Sequence, residues 1–97
     1  MAAWERLVKL MLHDSQEAVV DAACGVLRRE RLRRGMSMST VGELAGISTH
    51  ENGTCSALYA WESGRRRPTL LNFLRWCGGL NVKPAETLRK AQEEVDA

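Results

Sequence analysis

At 97 residues with 44% apolar side chains, the chain has the length and composition of one folded domain with a modest core, not of a disordered segment. The formal net charge of +2 is small, although its distribution along the chain is uneven. No apolar run reaches the length of a membrane span, and charged residues interrupt the first apolar residues too early for a signal peptide.

The first third of the chain predicts two helices. An amphipathic helix is expected over residues 2–12, and Asp14 with Glu17 resembles a capping box that would begin a second helix. That second helix is expected over about 15–34, with its end at Gly35. The apolar stripe of the first helix has two interpretations, packing onto the protein's own core or a dimer interface; it consists of Trp4, Leu7, Val8, Met11 and Leu12.

Two short helices follow. The first is predicted over 38–45, with Ser37 as its cap. The second is predicted over about 55–63, with Thr54 as its cap and Gly64 at its end. Two short helices joined by a glycine-containing turn form a helix-turn-helix pattern.

The last third predicts two more helices. One is expected over 70–79, capped by Thr69, and Asn81 suits a left-handed position after it. Another begins near Pro84, which suits a first helical turn. The residues expected to be buried are Leu70, Phe73, Leu74, Trp76 and Cys77, and the last helix carries an apolar stripe of Leu88, Ala91 and Val95.

We therefore predict an all-α fold of about five to six helices, because no alternating strand pattern is present. The chain is taken as a single domain, 1–97. Within it we distinguish an N-terminal helical extension over 1–25, a helix-turn-helix core over 26–83 and a C-terminal helix over 84–97.

The positive charge is concentrated in the middle of the chain. Residues 26–75 carry nine arginines against four glutamates, whereas residues 1–25 have a net charge of −2 and residues 76–97 of −1. A cationic segment that coincides with a helix-turn-helix is typical of a nucleic-acid-binding face.

The sequence contains no clear pattern of a catalytic or metal-binding site. The three cysteines are odd in number and widely spaced, which favours a reduced, cytosolic protein. His50 and Cys55 share a short stretch, but two ligands do not make a metal site. No nucleophile–base pair, paired carboxylates or phosphate loop stands out, so we expect no enzyme, no cofactor and no small-molecule substrate.

Residues 27–88 resemble the Cro/repressor-type (XRE-like) helix-turn-helix family, the DNA-binding fold of lambdoid phage repressors. Residues 27–37 look like its first helix and Gly-apolar-Ser junction. Residues 58–68 match its recognition helix and Glu-x-Gly-basic-basic-x-Pro exit, and 70–82 look like its fourth helix. The resemblance implies a lambda-repressor-like bundle that binds double-stranded DNA. Two departures are Gly42, where the family usually has Ala, and a longer turn before the recognition helix.

The resemblance and the positions nominate DNA contacts. Base edges would meet the exposed face of the recognition helix, which lacks Arg, Asn and Gln, so specificity would use hydroxyls, thymine methyls and DNA shape. The nominated base-reading residues are Thr54, Ser56, Ala57, Tyr59, Ala60 and Ser63. The nominated phosphate contacts are Ser39, Thr40, Arg65, Arg66 and Arg67. The resemblance also implies a structural pair of Arg31 with Glu62.

The sequence thus predicts a repressor-like transcriptional regulator of bacterial or phage origin, cytoplasmic, acting as a homodimer and without a membrane partner. The candidate dimer seams are the two apolar stripes, with a slight preference for the C-terminal one. The alternative is a protein-interaction module, such as the partner-binding component of a toxin–antitoxin pair, with the N-terminal helix as its docking surface.

Overall fold

The computed structural model describes residues 2–47 and 55–97, apart from the side chains of residues 8–14. These residues form five helices and no strand, which confirms the predicted all-α fold. The helices are α1 (Ala3–Arg33), α2 (Met38–Ala45), α3 (Ser56–Glu62), α4 (Leu70–Gly79) and α5 (Pro84–Asp96). Within the described ranges no helix combines the length and the apolar character that crossing a membrane requires.

Helix α1 is one continuous helix, so the predicted division at Asp14 was wrong. A capping box begins a helix only where the preceding residues are not already helical. Here those residues are mainly Leu, Lys and Met, which are good helix formers, so the backbone ladder continues through Asp14. At about 1.5 Å per residue, 31 residues span roughly 46 Å, and the molecule is accordingly elongated, 52 × 24 × 19 Å.

Every described side chain in the first turns of α1 is exposed to solvent. Trp4 is 65% exposed and Leu7 is 61% exposed. Packing onto the protein's own core is therefore wrong for these two side chains. The other three residues of the predicted stripe lie among those whose side chains are not described: Val8, Met11 and Leu12.

The caps of α2 and α4 explain why these helices begin where the sequence predicts. The Ser37 hydroxyl accepts a hydrogen bond from the Thr40 backbone N–H at 3.1 Å, and the Thr69 hydroxyl accepts one from the Asn72 N–H at 3.2 Å. Each cap satisfies a backbone donor that has no partner inside the helix. Asn81 has a φ of 54°, the left-handed conformation predicted for it.

The core lies where the five helices meet, and its largest fully buried side chains are Trp76, Leu27, Leu58, Leu80 and Val41. The rings of Trp61 and Trp76 lie 5.6 Å apart at a tilt of 36°. Helix α4 turns Phe73, Trp76 and Cys77 inward. The predicted burial of Leu70 and Leu74 was wrong, because they lie off this face and are 72% and 44% exposed.

Helix α5 packs along α1. Ala91 is fully buried there, so the centre of the C-terminal apolar stripe belongs to the protein's own core and not to an open seam. Beside this contact, Glu30 of α1 forms ion pairs with Arg33 and Arg34 at 2.6 and 2.7 Å. The hydrogen bonds from these two arginines lower the pKa of Glu30 to about 2.

A glycine allows α4 to approach α2 closely. A Cβ atom at Gly79 would lie 2.8 Å from the Cβ of Ala45 and 2.9 Å from the carbonyl oxygen of Val41. Both distances are shorter than any tolerated carbon contact, so the crossing of α2 and α4 requires glycine at this position.

Candidate nucleic-acid interface

Helix α3 is anchored to α1 by one nearly buried ion pair. Arg31 donates from Nε and Nη2 to the two carboxylate oxygens of Glu62, at 2.7 and 2.8 Å. The Arg31 Nη1 also donates to the Met36 carbonyl oxygen at 2.8 Å. The Glu62 side chain is 2% exposed, and Arg28 Nε lies 3.8 Å from it. The structure thus brings together the pair implied by the resemblance, and this pair fixes α3 against α1.

Helix α3 separates a buried face from an exposed one. Leu58 and Trp61 are buried in the core, as predicted. The prediction of Thr54 as the N-cap was wrong, because α3 begins at Ser56 and the buried Cys55 occupies the N-cap position. The opposite face carries most of the predicted base-reading residues: Ser56, Tyr59 and Ser63 are exposed, and Ala57 and Ala60 are half-buried. Ala57 packs partly against the core. Thr54 lies outside the described residues, as do His50 and most of the lengthened turn.

The chain leaves α3 through a tight left-handed turn. Gly64 has a φ of 78°, a conformation that favours glycine. The backbone N–H groups of Arg65 and Arg66 both donate to the Ala60 carbonyl oxygen, at 2.9 and 3.2 Å. These bonds fold the chain back over the end of α3, and the Arg65 guanidinium lies 5.4 Å from the centre of the Tyr59 ring.

The third arginine of this segment points elsewhere. Arg67 donates from Nε and Nη2 to the two carboxylate oxygens of Asp21 on α1, at 3.0 and 2.9 Å. A second α1 carboxylate, that of Glu17, lies 3.9 Å from the same guanidinium. A phosphate contact by Arg67, as the sequence predicts, would require this bidentate pair to open. Arg65 and Arg66 have no carboxylate within ion-pair distance among the described residues.

The start of α2 is less open to a phosphate than the sequence suggests. The backbone N–H of Thr40 donates to the Ser37 hydroxyl, and the Thr40 side-chain oxygen accepts a hydrogen bond from the same hydroxyl at 2.9 Å. Thr40 is exposed and Ser39 is half-buried. An incoming phosphate would therefore meet the Thr40 side chain and not its backbone N–H.

A shallow groove runs between the exposed face of α3 and the arginines that follow it. It is lined by Ser56, Ala57, Tyr59, Ala60, Arg65 and Arg66. The pairings of Arg67 with Asp21 and of Arg65 with Tyr59 are not predicted by the sequence. Residues 21 and 67 are 46 positions apart, so no local spacing relates them.

The three cysteines are all buried and reduced. Burial, with the nearby Asp21 carboxylate, raises the pKa of the Cys24 thiol to about 11, and burial also raises the pKa of Cys77. Among the described residues, no group of three His, Cys, Asp or Glu side chains could hold a metal ion. All three thiols therefore pack in the buried core.

No protein-family model, curated protein or solved structure matches this chain.

Proposed function

We propose that the protein is a sequence-specific, repressor-like transcriptional regulator of bacterial or phage origin that acts in the cytoplasm by placing α3 in the major groove of double-stranded DNA. One observation carries the proposal. The exposed, polar face of α3 is bordered at its exit by Arg65 and Arg66, two cations without a carboxylate partner among the described residues.

The size and rigidity of α3 support this function. The major groove of B-DNA is about 12 Å wide and admits one α-helix. A recognition helix must hold its angle to the rest of the domain, since its side chains have to meet base edges within hydrogen-bond distance. The bidentate bond of Arg31 to Glu62 and the burial of Leu58 and Trp61 supply that rigidity.

Charge supports the same assignment. Several other arginines among the described residues pair with carboxylates, whereas Arg65 and Arg66 do not, so the positive charge at the α3 exit is uncompensated by the described residues. Arg66 is exposed there, beside the groove, and is the strongest candidate for a phosphate contact.

Salt-dependent binding to DNA tests the proposal. We would titrate duplexes from the region upstream of the protein's own coding sequence, and an unrelated duplex, by fluorescence anisotropy at several salt concentrations. Arg66→Ala should make the negative slope of log K against log salt shallower by about 0.9, because one phosphate contact is lost. Arg89→Ala on α5, where the arginine is paired with Glu86, is the control and should leave the slope unchanged. The absence of salt-dependent binding by the wild type would refute the proposal.

We also propose that the protein binds DNA as a homodimer. Helix α3 has seven residues and covers one half-site, and specific affinity with Kd near 10⁻⁸ M usually needs two such units about one helical turn apart. With Ala91 buried, the exposed Trp4 and Leu7 of α1 are now the favoured seam. Light scattering with and without duplex checks this: Leu7→Glu should yield monomers, whereas Leu88→Asp should not. A wild type bound one-to-one to a non-palindromic site would contradict it.

The exposed Trp4 and Leu7 also favour the second candidate, a protein-interaction module of the toxin–antitoxin kind that docks its partner on α1. The two candidates differ in what Trp4→Glu does. If the protein is a DNA-binding dimer, Trp4→Glu weakens binding to a duplex with two half-sites. If it is a docking module, Trp4→Glu abolishes binding of the partner protein, and neither the wild type nor the variant binds a duplex.

A further inference from the structure

We propose that Arg65 reads a guanine base in the major groove and is not a phosphate contact. The inference deepens the proposed DNA-binding function and rests on it. It assigns a base-specific role to a residue that follows the recognition helix and is not part of it.

The first step is the placement of the side chain. The Arg65 backbone N–H is held by the Ala60 carbonyl oxygen at 2.9 Å, directly after the left-handed Gly64. This anchor turns Arg65 back along the outer face of α3. Its guanidinium then lies 5.4 Å from the centre of the Tyr59 ring, within cation–π distance.

The second step is what this contact leaves available. An arginine guanidinium that packs on an aromatic ring keeps its N–H donors in its own plane, where they can meet acceptors at the rim of the ring. No carboxylate of the described residues takes those donors. The ring also limits the rotamers of the long side chain, so less freedom is lost when it binds a planar acceptor.

The third step is the match to a ligand. The O6 and N7 atoms of guanine form the acceptor pair that an arginine recognises in bidentate fashion in the major groove. The α3 face itself offers hydroxyls and methyl groups but no Arg, Asn or Gln. Arg65 supplies the missing bidentate donor from the groove it shares with Ser56 and Ala60.

The contacts of the two neighbouring arginines favour Arg65 as the base-reading residue. Arg67 is engaged by Asp21, and Arg66 stands at the edge of the groove without an aromatic partner among the described residues. Of the three consecutive arginines, Arg65 therefore has the side chain directed over the recognition helix.

The test is selection of duplexes from a randomised DNA library by the full-length wild type and by Arg65→Ala, followed by titration of single-base variants of the selected site. The wild type should select a site with a G·C pair whose replacement by A·T weakens binding about 5- to 150-fold. Arg65→Ala should lose the preference at that pair alone.

Three variants complete the experiment. Arg66→Ala is the matched control and should select the same site with uniformly weaker binding. Tyr59→Phe keeps the ring and should keep the guanine preference, whereas Tyr59→Ala should reduce it at the same pair. All these side chains are exposed, so thermal unfolding followed by circular dichroism should show wild-type folding in each case.

Two results would overturn the inference, and they differ. If Arg65→Ala selects the wild-type site with uniformly weaker binding, Arg65 is a phosphate contact and the guanine assignment fails while the DNA-binding function stands. If the wild type enriches no duplex, the DNA-binding function itself fails and the assignment fails with it.

Discussion

Removal of the Glu62 carboxylate should destabilise the protein more than any surface substitution. The Arg31 guanidinium is nearly buried and donates hydrogen bonds to Glu62 and to the Met36 carbonyl oxygen. In Glu62→Ala it loses the bonds to Glu62 and keeps the one to Met36. Breaking a buried ion pair by removing one member costs about 3–5 kcal/mol, because an uncompensated charge is left inside. A domain of this length has a total stability of roughly 5–15 kcal/mol, so a large share would be lost.

The assay is denaturant unfolding followed by circular dichroism, supported by a thermal melt. For a chain of this size, a loss of 3 kcal/mol corresponds to a fall in Tm of at least about 12 °C. Glu86→Ala is the control, since this exposed glutamate is paired with Arg89 on the surface of α5. Its Tm should change by a few degrees at most.

A double-mutant cycle separates the ion pair from simple loss of packing. Replacing both partners, as Arg31→Met with Glu62→Leu, removes the buried charge together with its counterion and should recover most of the lost stability. The reasoning is refuted if Glu62→Ala lowers stability by less than about 1 kcal/mol, or if the loss in the double variant equals the sum of the losses in Arg31→Met and Glu62→Leu measured singly.

Three further predictions concern the rest of the molecule. Gly79→Ala should cost about 1–3 kcal/mol in denaturant unfolding because its Cβ would overlap Ala45, whereas Gly78→Ala, with open space around it, should be neutral or stabilising; equal effects would contradict the close contact. Because folding lowers the pKa of Glu30 to about 2, its contribution is present above its unfolded pKa of about 4.3 and is lost as the pH falls from there toward 2. We expect ionised Glu30 to contribute about 1 kcal/mol to the free energy of unfolding after solvent screening. Unfolding curves of Glu30→Gln, measured across that pH range, should lack this contribution and its loss at low pH. Cys24 should resist alkylation by iodoacetamide at pH 8 until denaturant is added, and rapid labelling of the native protein would show that the thiol is accessible.

Local signals in the sequence predicted the helical class and most of the helix boundaries. Ser37, Thr69 and Pro84 begin helices by local bonds or local backbone restriction, and Asn81 ends one through its own conformation. Such signals act within about four residues, so they can be identified without knowledge of the fold. A local signal gave a wrong prediction at Asp14. The capping pattern there does not begin a new helix, because α1 is continuous through this residue.

Part of the candidate site was also predictable. The division of α3 into a core face and an exposed face follows from the spacing of Leu58 and Trp61. The pairing of Arg31 with Glu62 was predicted only through the family resemblance, because 31 residues separate the two side chains and no spacing rule links them.

The differences between the three consecutive arginines arise from helix packing and could not be predicted from the sequence. Identical in type and adjacent in sequence, they are indistinguishable by composition or charge. The turn at Gly64 places Arg65 over Tyr59, and the packing of α1 places Asp21 beside Arg67. Ion pairs and ring contacts of this kind form between elements distant in the chain, so their partners are set by the way the helices pack. Of the three arginines, that packing leaves Arg65 and Arg66 without a carboxylate partner among the described residues.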